Sequence, residues 1–169
     1  MSQTIDDFRY FFKPDKDAKE FSVNAAILHT LTLLKPALEQ EDIVVETYLE
    51  EEILIKGFSN ELGQVLINIL NNAKDALVEN NSVKKKCITI VLKKDNDKAV
   101  ISIEDNAGGI ADDVIDQIFN PYFSTKEEKN GTGLGLYMSK SIIEGHSNGI
   151  LSVENSSNGA VFKIILGGR

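Results

Sequence analysis

Gly131-Thr132-Gly133-Leu134-Gly135-Leu136 ends a long polar connection and opens an apolar helix, with no strand before it. Successive glycines let backbone N–H groups approach an anion without a Cβ in the way, and the helix that follows adds the positive end of its dipole, so the stretch suits a phosphate. Its surroundings exclude two common nucleotide folds. A P-loop requires GxxxxGK[ST], which is absent, and a dinucleotide fold requires a strand directly before the glycines, where Thr125-Lys126-Glu127-Glu128-Lys129-Asn130 stands instead. Two further blocks lie upstream in order, Asn68-Ile69-Leu70-Asn71-Asn72-Ala73-Lys74-Asp75 and Asp105-Asn106-Ala107-Gly108-Gly109.

Working outward, the longest helix is expected over about Asn60 to Val78, where Leu62, Val65, Leu66, Ile69, Leu70, Ala73, Ala76 and Leu77 form one apolar arc at about 100° per residue. Asn68, Asn72 and Asp75 fall together at one edge of that arc, where core meets solvent. Ser22 caps an earlier helix with Val23, Ile27, Leu31, Leu34 and Leu38 on one face. Ile43 to Tyr48 and Ile53 to Lys56 read as strands joined by a tight acidic turn, Glu50-Glu51-Glu52. Ile88 to Lys94 and Val100 to Glu104 read as a hairpin around Asp95-Asn96-Asp97-Lys98. From Asn106 to Thr132 runs a connection with one short helix, near Asp112 to Phe119, and its aromatics Phe119, Tyr122 and Phe123 suit a lid that docks. A helix from Leu134 to about Glu144, then strands Ile150 to Glu154 and Val161 to Leu166, complete the chain. Without regular βαβ alternation the class is α+β, a two-layer sandwich with about three helices on one face of a mixed, mostly antiparallel sheet of about five strands.

The chain has 169 residues, 42% of them hydrophobic, which suits one domain with a short appendage. A net charge of −8 argues against a nucleic-acid surface and against an anionic membrane face. One cysteine, Cys87, makes no internal disulfide, no apolar run reaches the roughly 18 residues that span a bilayer, and Met1 to Asp7 is too polar for a signal peptide. A cytoplasmic setting is expected, with any membrane anchor outside this chain. Ile5, Phe8 and Phe12 at helical spacing before Pro14, then Asp15 to Lys19, predict the end of a helix and a linker over residues 1–19.

Asn68 and Asn72 at i and i+4 are either a solvated helix face or amide oxygens suited to Mg²⁺, and asparagine's modest helix propensity asks for an external reason. Asp105 is either the cap of an Asx turn or an acceptor-only carboxylate, which in a pocket favours the amino group of adenine over the oxo group of guanine. Lys126 is either solvated or a mobile charge for a terminal phosphate. Gly145-His146-Ser147-Asn148-Gly149 matches a hydrolase-elbow pattern, but a helix precedes it, a strand follows, and no histidine comes after Ser147. Two distant histidines, His29 and His146, with one cysteine make no zinc site.

In order, these blocks resemble the motifs of the gyrase, heat-shock chaperone, histidine kinase and mismatch-repair ATPases, most closely the catalytic ATP-binding domain of bacterial sensor histidine kinases, over about residues 20–169. Glu61 to Leu77 is similar to that family's asparagine box and Asp105 to Ile110 to its first glycine box. Phe119-Asn120-Pro121-Tyr122-Phe123 is similar to its phenylalanine box, and Gly131 to Leu136 to its second glycine box. The resemblance implies a Bergerat-type fold that binds ATP and Mg²⁺. Asn72 would hold the metal, and Asp105 would read adenine beside Gly109 and Ile110. Asp75, one turn on along the helix, is by its own chemistry placed to hold an amide or a lid residue by hydrogen bond, and the resemblance has Asn68, Lys126 and the backbone of Gly131, Thr132, Gly133, Leu134 and Gly135 meet the phosphates. It also implies that Asn68, an amide where the hydrolytic branches carry a glutamate base, favours phosphoryl transfer to a protein over hydrolysis, with Asn68 and Lys126 as the catalytic pair.

Ala107 stands where the first glycine box usually has glycine, Asp75 where many kinases have a basic residue, and Ala160 where a small hydroxyl residue is frequent. Asp6 to Pro14 looks like the tail of a dimerisation helix, yet neither His29 nor His146 matches the phosphoacceptor. Expected partners are therefore a histidine-bearing dimerisation domain missing from this chain and a response-regulator receiver, in a parent homodimer whose isolated fragment is a monomer or weak dimer. The rival expectations are a free-standing anti-sigma-type serine kinase and a non-catalytic ATP-sensing module.

Overall fold

A computed structural model describes residues 17–123 and 134–167. The order is β1 (Lys19–Ser22), α1 (Val23–Gln40), β2 (Val44–Leu49), β3 (Leu54–Gly57), α2 (Ser59–Glu79), β4 (Cys87–Asp95), β5 (Lys98–Asp105), α3 (Asp112–Ile115), α4 (Gly135–Lys140) continued by a π-helical turn over Ser141–His146, β6 (Ile150–Asn155) and β7 (Ala160–Gly167). The N-terminal helix expected before Pro14 lies outside the described residues.

Ser22 caps α1 as expected, its Oγ accepting the Ala25 N–H at 3.0 Å. Val23, Ile27, Leu34 and Leu38 are buried, and Thr30 beside them donates its hydroxyl to the Ala26 carbonyl. The helix stops in a Schellman motif. Asp42 takes a φ of 58°, its N–H donates to the Glu39 carbonyl, the Ile43 N–H reaches back to that of Leu38, and the Leu38 and Ile43 side chains are both buried.

Five strands form one sheet in the order β2-β4-β5-β7-β6, antiparallel except for β2 beside β4. The β4–β5 hairpin closes through Asn96 and Asp97, both at positive φ (51° and 69°), the type I′ geometry whose twist matches the strands. Period-2 burial assigns the faces: Ile88, Ile90, Leu92, Ala99, Ile101, Ile103, Phe162, Ile164 and Leu166 are buried, while the residues between them are half-exposed. Against the buried face lies the arc of α2, with Leu62, Val65, Leu66, Ile69, Leu70, Ala73 and Leu77 at 3% exposure or less. With α1 and α4 also packed on α2, this is the two-layer α+β sandwich read from the sequence.

Two local expectations need correcting. The acidic turn does not close a hairpin: β2 joins β4 in the main sheet, and β3 pairs with β1 in a separate two-stranded ribbon. Asn24 of α1 holds the turn open, donating Nδ2 to the Glu50 carbonyl and accepting the Ile53 N–H on Oδ1, each at 2.9 Å. The helix near Asp112 is a single turn followed by further turns to Phe119 rather than a helix over that span. At the far end, His146 stacks on Phe58 (centroids 4.1 Å apart) with Nδ1 2.7 Å from Glu61 Oε1, which ties the π turn to the start of α2.

Candidate functional site

Asp105 is the last residue of β5 and only 5% exposed. Its Oδ1 accepts the N–H of Ala107 at 3.0 Å and that of Ala160 at 3.4 Å. Oδ2 has no partner among the described residues. Burial pushes the carboxyl above its ordinary value of 3.8, against the two backbone hydrogen bonds that favour the charged form, and the neighbouring Glu104 charge adds to the rise. The start of β7 approaches this group so closely that a Cβ on Gly159 would lie 2.2 Å from the Asp105 carbonyl oxygen and 2.6 Å from Oδ1. Glycine is required there by contact.

The loop after Asp105 is held by three asparagine side chains. Asn155, at the end of β6, accepts the Ile110 N–H at 2.8 Å and donates to the Ile110 carbonyl at 2.7 Å. Asn80, at the C-cap of α2, donates to the Ala107 carbonyl at 2.8 Å. Asn106 accepts the Cys87 N–H and donates to the Lys85 carbonyl. Gly109, at a φ of 91°, has no room for a side chain, since a Cβ would meet Asn155 Oδ1 at 2.9 Å. Ala107 is not at positive φ and its methyl packs on the core, so alanine is accommodated where the resemblance expects glycine.

Between this loop, α2 and β7 lies a pocket open to solvent, bordered by Asn72, Ala76, Asp105, Gly109, Ile110 and Phe162 among others. Four of the residues singled out in the sequence, Asn72, Asp105, Gly109 and Ile110, thus line one pocket. Asn68, one turn before Asn72, is bonded instead to α4, donating Nδ2 to Ser139 Oγ at 3.0 Å and to the Gly135 carbonyl at 3.3 Å. Leu134 is the N-cap of α4 and Gly135 its first residue. Asp75 is half-buried on α2 and does not border the pocket. Lys126, Gly131, Thr132 and Gly133 lie outside the described residues. Where the connection from Asp105 leaves the pocket, Phe119 packs edge-on against Phe162 and the Lys140 ammonium sits 4.7 Å from its ring centroid. Asn80, Asn155, Gly159 and Ser139 are functional candidates that sequence reasoning missed.

Among the described residues there is no group of three or more His, Cys, Asp or Glu that would cage a metal. Neutral amide oxygens on one helix edge do fit Mg²⁺, which takes one or two protein ligands and fills its shell with water and phosphate oxygens.

Residues 57–167, more than half of the chain, match the family described as histidine kinase-, DNA gyrase B-, and HSP90-like ATPase. The two-component sensor PprA of Pseudomonas aeruginosa is 34% identical over 153 residues, which cover 89% of this chain and 16% of that protein. The chain spans between 16% and 33% of the length of the curated relatives that head the comparison. The crystallised catalytic domain of histidine kinase ThkA superposes with a TM-score of 0.80 at 27% identity, over 90% of this chain and 96% of that one. ThkA in complex with the response regulator protein TrrA superposes with a TM-score of 0.77 at 23% identity, over 99% of this chain and 47% of that one. The pocket described above thus sits in a fold and a sequence that both match one family: the chain belongs to the histidine kinase-, DNA gyrase B- and HSP90-like ATPases, as a catalytic ATP-binding domain of the histidine kinase type.

Proposed function

We propose that this domain transfers the γ-phosphoryl group of Mg-ATP to a histidine outside the chain, within a two-component signalling kinase. The observation that carries the reading is the buried Asp105 on the wall of an open pocket, with one carboxylate oxygen fixed by backbone and the other without a partner among the described residues. Adenine enters with its amino group toward Asp105, between Ala76, Ile110 and Phe162. The phosphates extend toward α4 and meet Lys126 and the backbone of Gly131 to Gly135. Asn72 holds Mg²⁺, which when bound neutralises charge on the phosphate oxygens. A histidine nitrogen attacks the γ-phosphorus, the bond from that phosphorus to the β–γ bridging oxygen breaks, and ADP leaves. The amide of Asn68 is no base for water, so positioning and charge supply the rate.

The acceptor is a histidine-bearing dimerisation domain of the parent protein, a homodimer, and a response regulator receives the phosphoryl group next, as the ThkA complex with TrrA suggests by analogy. We place the domain in the cytoplasm, where ATP is available. No helix of the described residues is long and apolar enough to cross a membrane. The experiment is incubation of the chain with Mg²⁺, ATP labelled at the γ position and the parent kinase's histidine-bearing segment. Acid-labile, alkali-stable label on that segment is expected, and free phosphate as the main product would overturn the transfer reading in favour of hydrolysis.

A further inference from the structure

Asn68 has a carboxamide whose orientation can be deduced from its neighbours. A backbone carbonyl only accepts hydrogen bonds, so the atom that faces the Gly135 oxygen at 3.3 Å is the amide nitrogen. The Ser139 hydroxyl spends its own hydrogen on that same Gly135 oxygen, at 2.9 Å, which leaves Oγ to accept from Asn68 at 3.0 Å. Ser139 is 0% exposed, so bulk water does not compete for the hydroxyl. Both hydrogens of the Asn68 amide are therefore used inside the protein, and Oδ1 is left without a partner among the described residues.

We propose that Ser139 is a positioning residue of the nucleotide site: it holds the Asn68 carboxamide with both N–H groups turned into α4, so that Asn68 meets its ligand through Oδ1 alone. An amide so fixed has nothing to donate to a phosphate oxygen. Its partner must be a donor or a cation, and the donor that accompanies Mg-ATP at this edge of α2 is water bound to the divalent ion, one helical turn from Asn72. This revises the phosphate contact that the family resemblance implies for Asn68. It also fastens the asparagine helix to Gly135, the residue at which α4 begins. The proposal rests on the nucleotide reading given above, and its test separates the two.

The primary readout needs no nucleotide. In ¹⁵N-labelled chain, the side-chain NH₂ hydrogens of Asn68 should exchange slowly with solvent, and Ser139→Ala should expose them. Free exchange in the unsubstituted chain would overturn the proposal. Calorimetric titration with ATP then follows, with and without Mg²⁺. Ser139→Ala should weaken Mg-ATP about fivefold, the effect of one neutral hydrogen bond, and leave metal-free ATP unchanged. Equal weakening of both would reduce Ser139 to a structural role and overturn the proposal. In an Asn68→Ala background, Ser139→Ala should have no further effect on Mg-ATP, and an additive loss would show that Ser139 does not act through Asn68. If the unsubstituted chain binds ATP in neither condition, the nucleotide reading fails and the cation assignment with it, while the exchange experiment still reports on the orientation.

Discussion

At the scale of single residues, the site is built on a charge kept where it is costly. Asp105 has a carboxyl raised by burial, so its contribution to folding is fully present below the ordinary value of 3.8 and is lost as pH rises through the raised one. Binding runs the other way, because the ionised form is the stronger, acceptor-only partner for an adenine amino group while the protonated form carries an O–H donor, and nucleotide affinity should climb through that same window. Asp105→Asn separates the two effects. Its amide oxygen keeps the bonds from Ala107 and Ala160, so thermal melting of the free protein should move up and lose its pH dependence in that range. ATP titration should show affinity lower by about one to two orders of magnitude, since an NH₂ group then faces another donor. Gly159→Ala tests the same spot by contact. A methyl 2.2 Å from the Asp105 carbonyl forces β5 and β7 apart, and urea unfolding should show a loss of about 1–3 kcal/mol together with weaker ATP binding. Neither Gly159 nor Asn155 was legible as a site residue, because glycine and asparagine are what any turn between two strands asks for. Their partners lie 45 residues or more away in sequence. Ser139 was hidden for a related reason: a small polar residue inside a helix gains meaning only from an amide 71 residues earlier.

Among the elements, those with one clean period were readable and those defined by partners were not. The α2 arc, the Ser22 cap and the β4–β5 hairpin follow from spacing and turn chemistry, and each is present. The pairing of β2 with β4 is a parallel contact made across the whole of α2, and no local pattern announces it. β1, four residues read as the end of a linker and the start of a cap, is a strand only because β3 lies beside it. The loop from Asn106 to Ile110 is an element of its own, whose shape is imposed by Asn80, Asn106 and Asn155 more than by its sequence. Asn155→Ala removes two bonds to Ile110 and should speed hydrogen exchange of the Ile110 amide. It should also weaken ATP by about tenfold, with little change in global unfolding, because the side chain is exposed and outside the core. An unchanged ATP affinity would mean that the loop holds its shape without this clamp.

For the whole molecule, the pocket lies between the two layers, and a ligand that binds only the folded chain must stabilise it. ATP with Mg²⁺ at about one hundred times its dissociation constant should add about 2.7 kcal/mol, read as an upward shift in melting temperature, and GTP should give far less. Equal shifts for the two nucleotides would remove Asp105 from base recognition. The ribbon of β1 and β3 bears on how the domain responds to force. Lys19, where the chain arrives from residues 1–18, pairs with Gly57, and Gly57 is followed after one residue by Ser59, the first residue of the helix that carries Asn68 and Asn72. Tension applied through the upstream segment therefore loads the Lys19–Gly57 rung first and peels the ribbon from that end. Because that rung adjoins the root of α2, a pull too weak to unfold the sheet would be felt first where the asparagine helix begins.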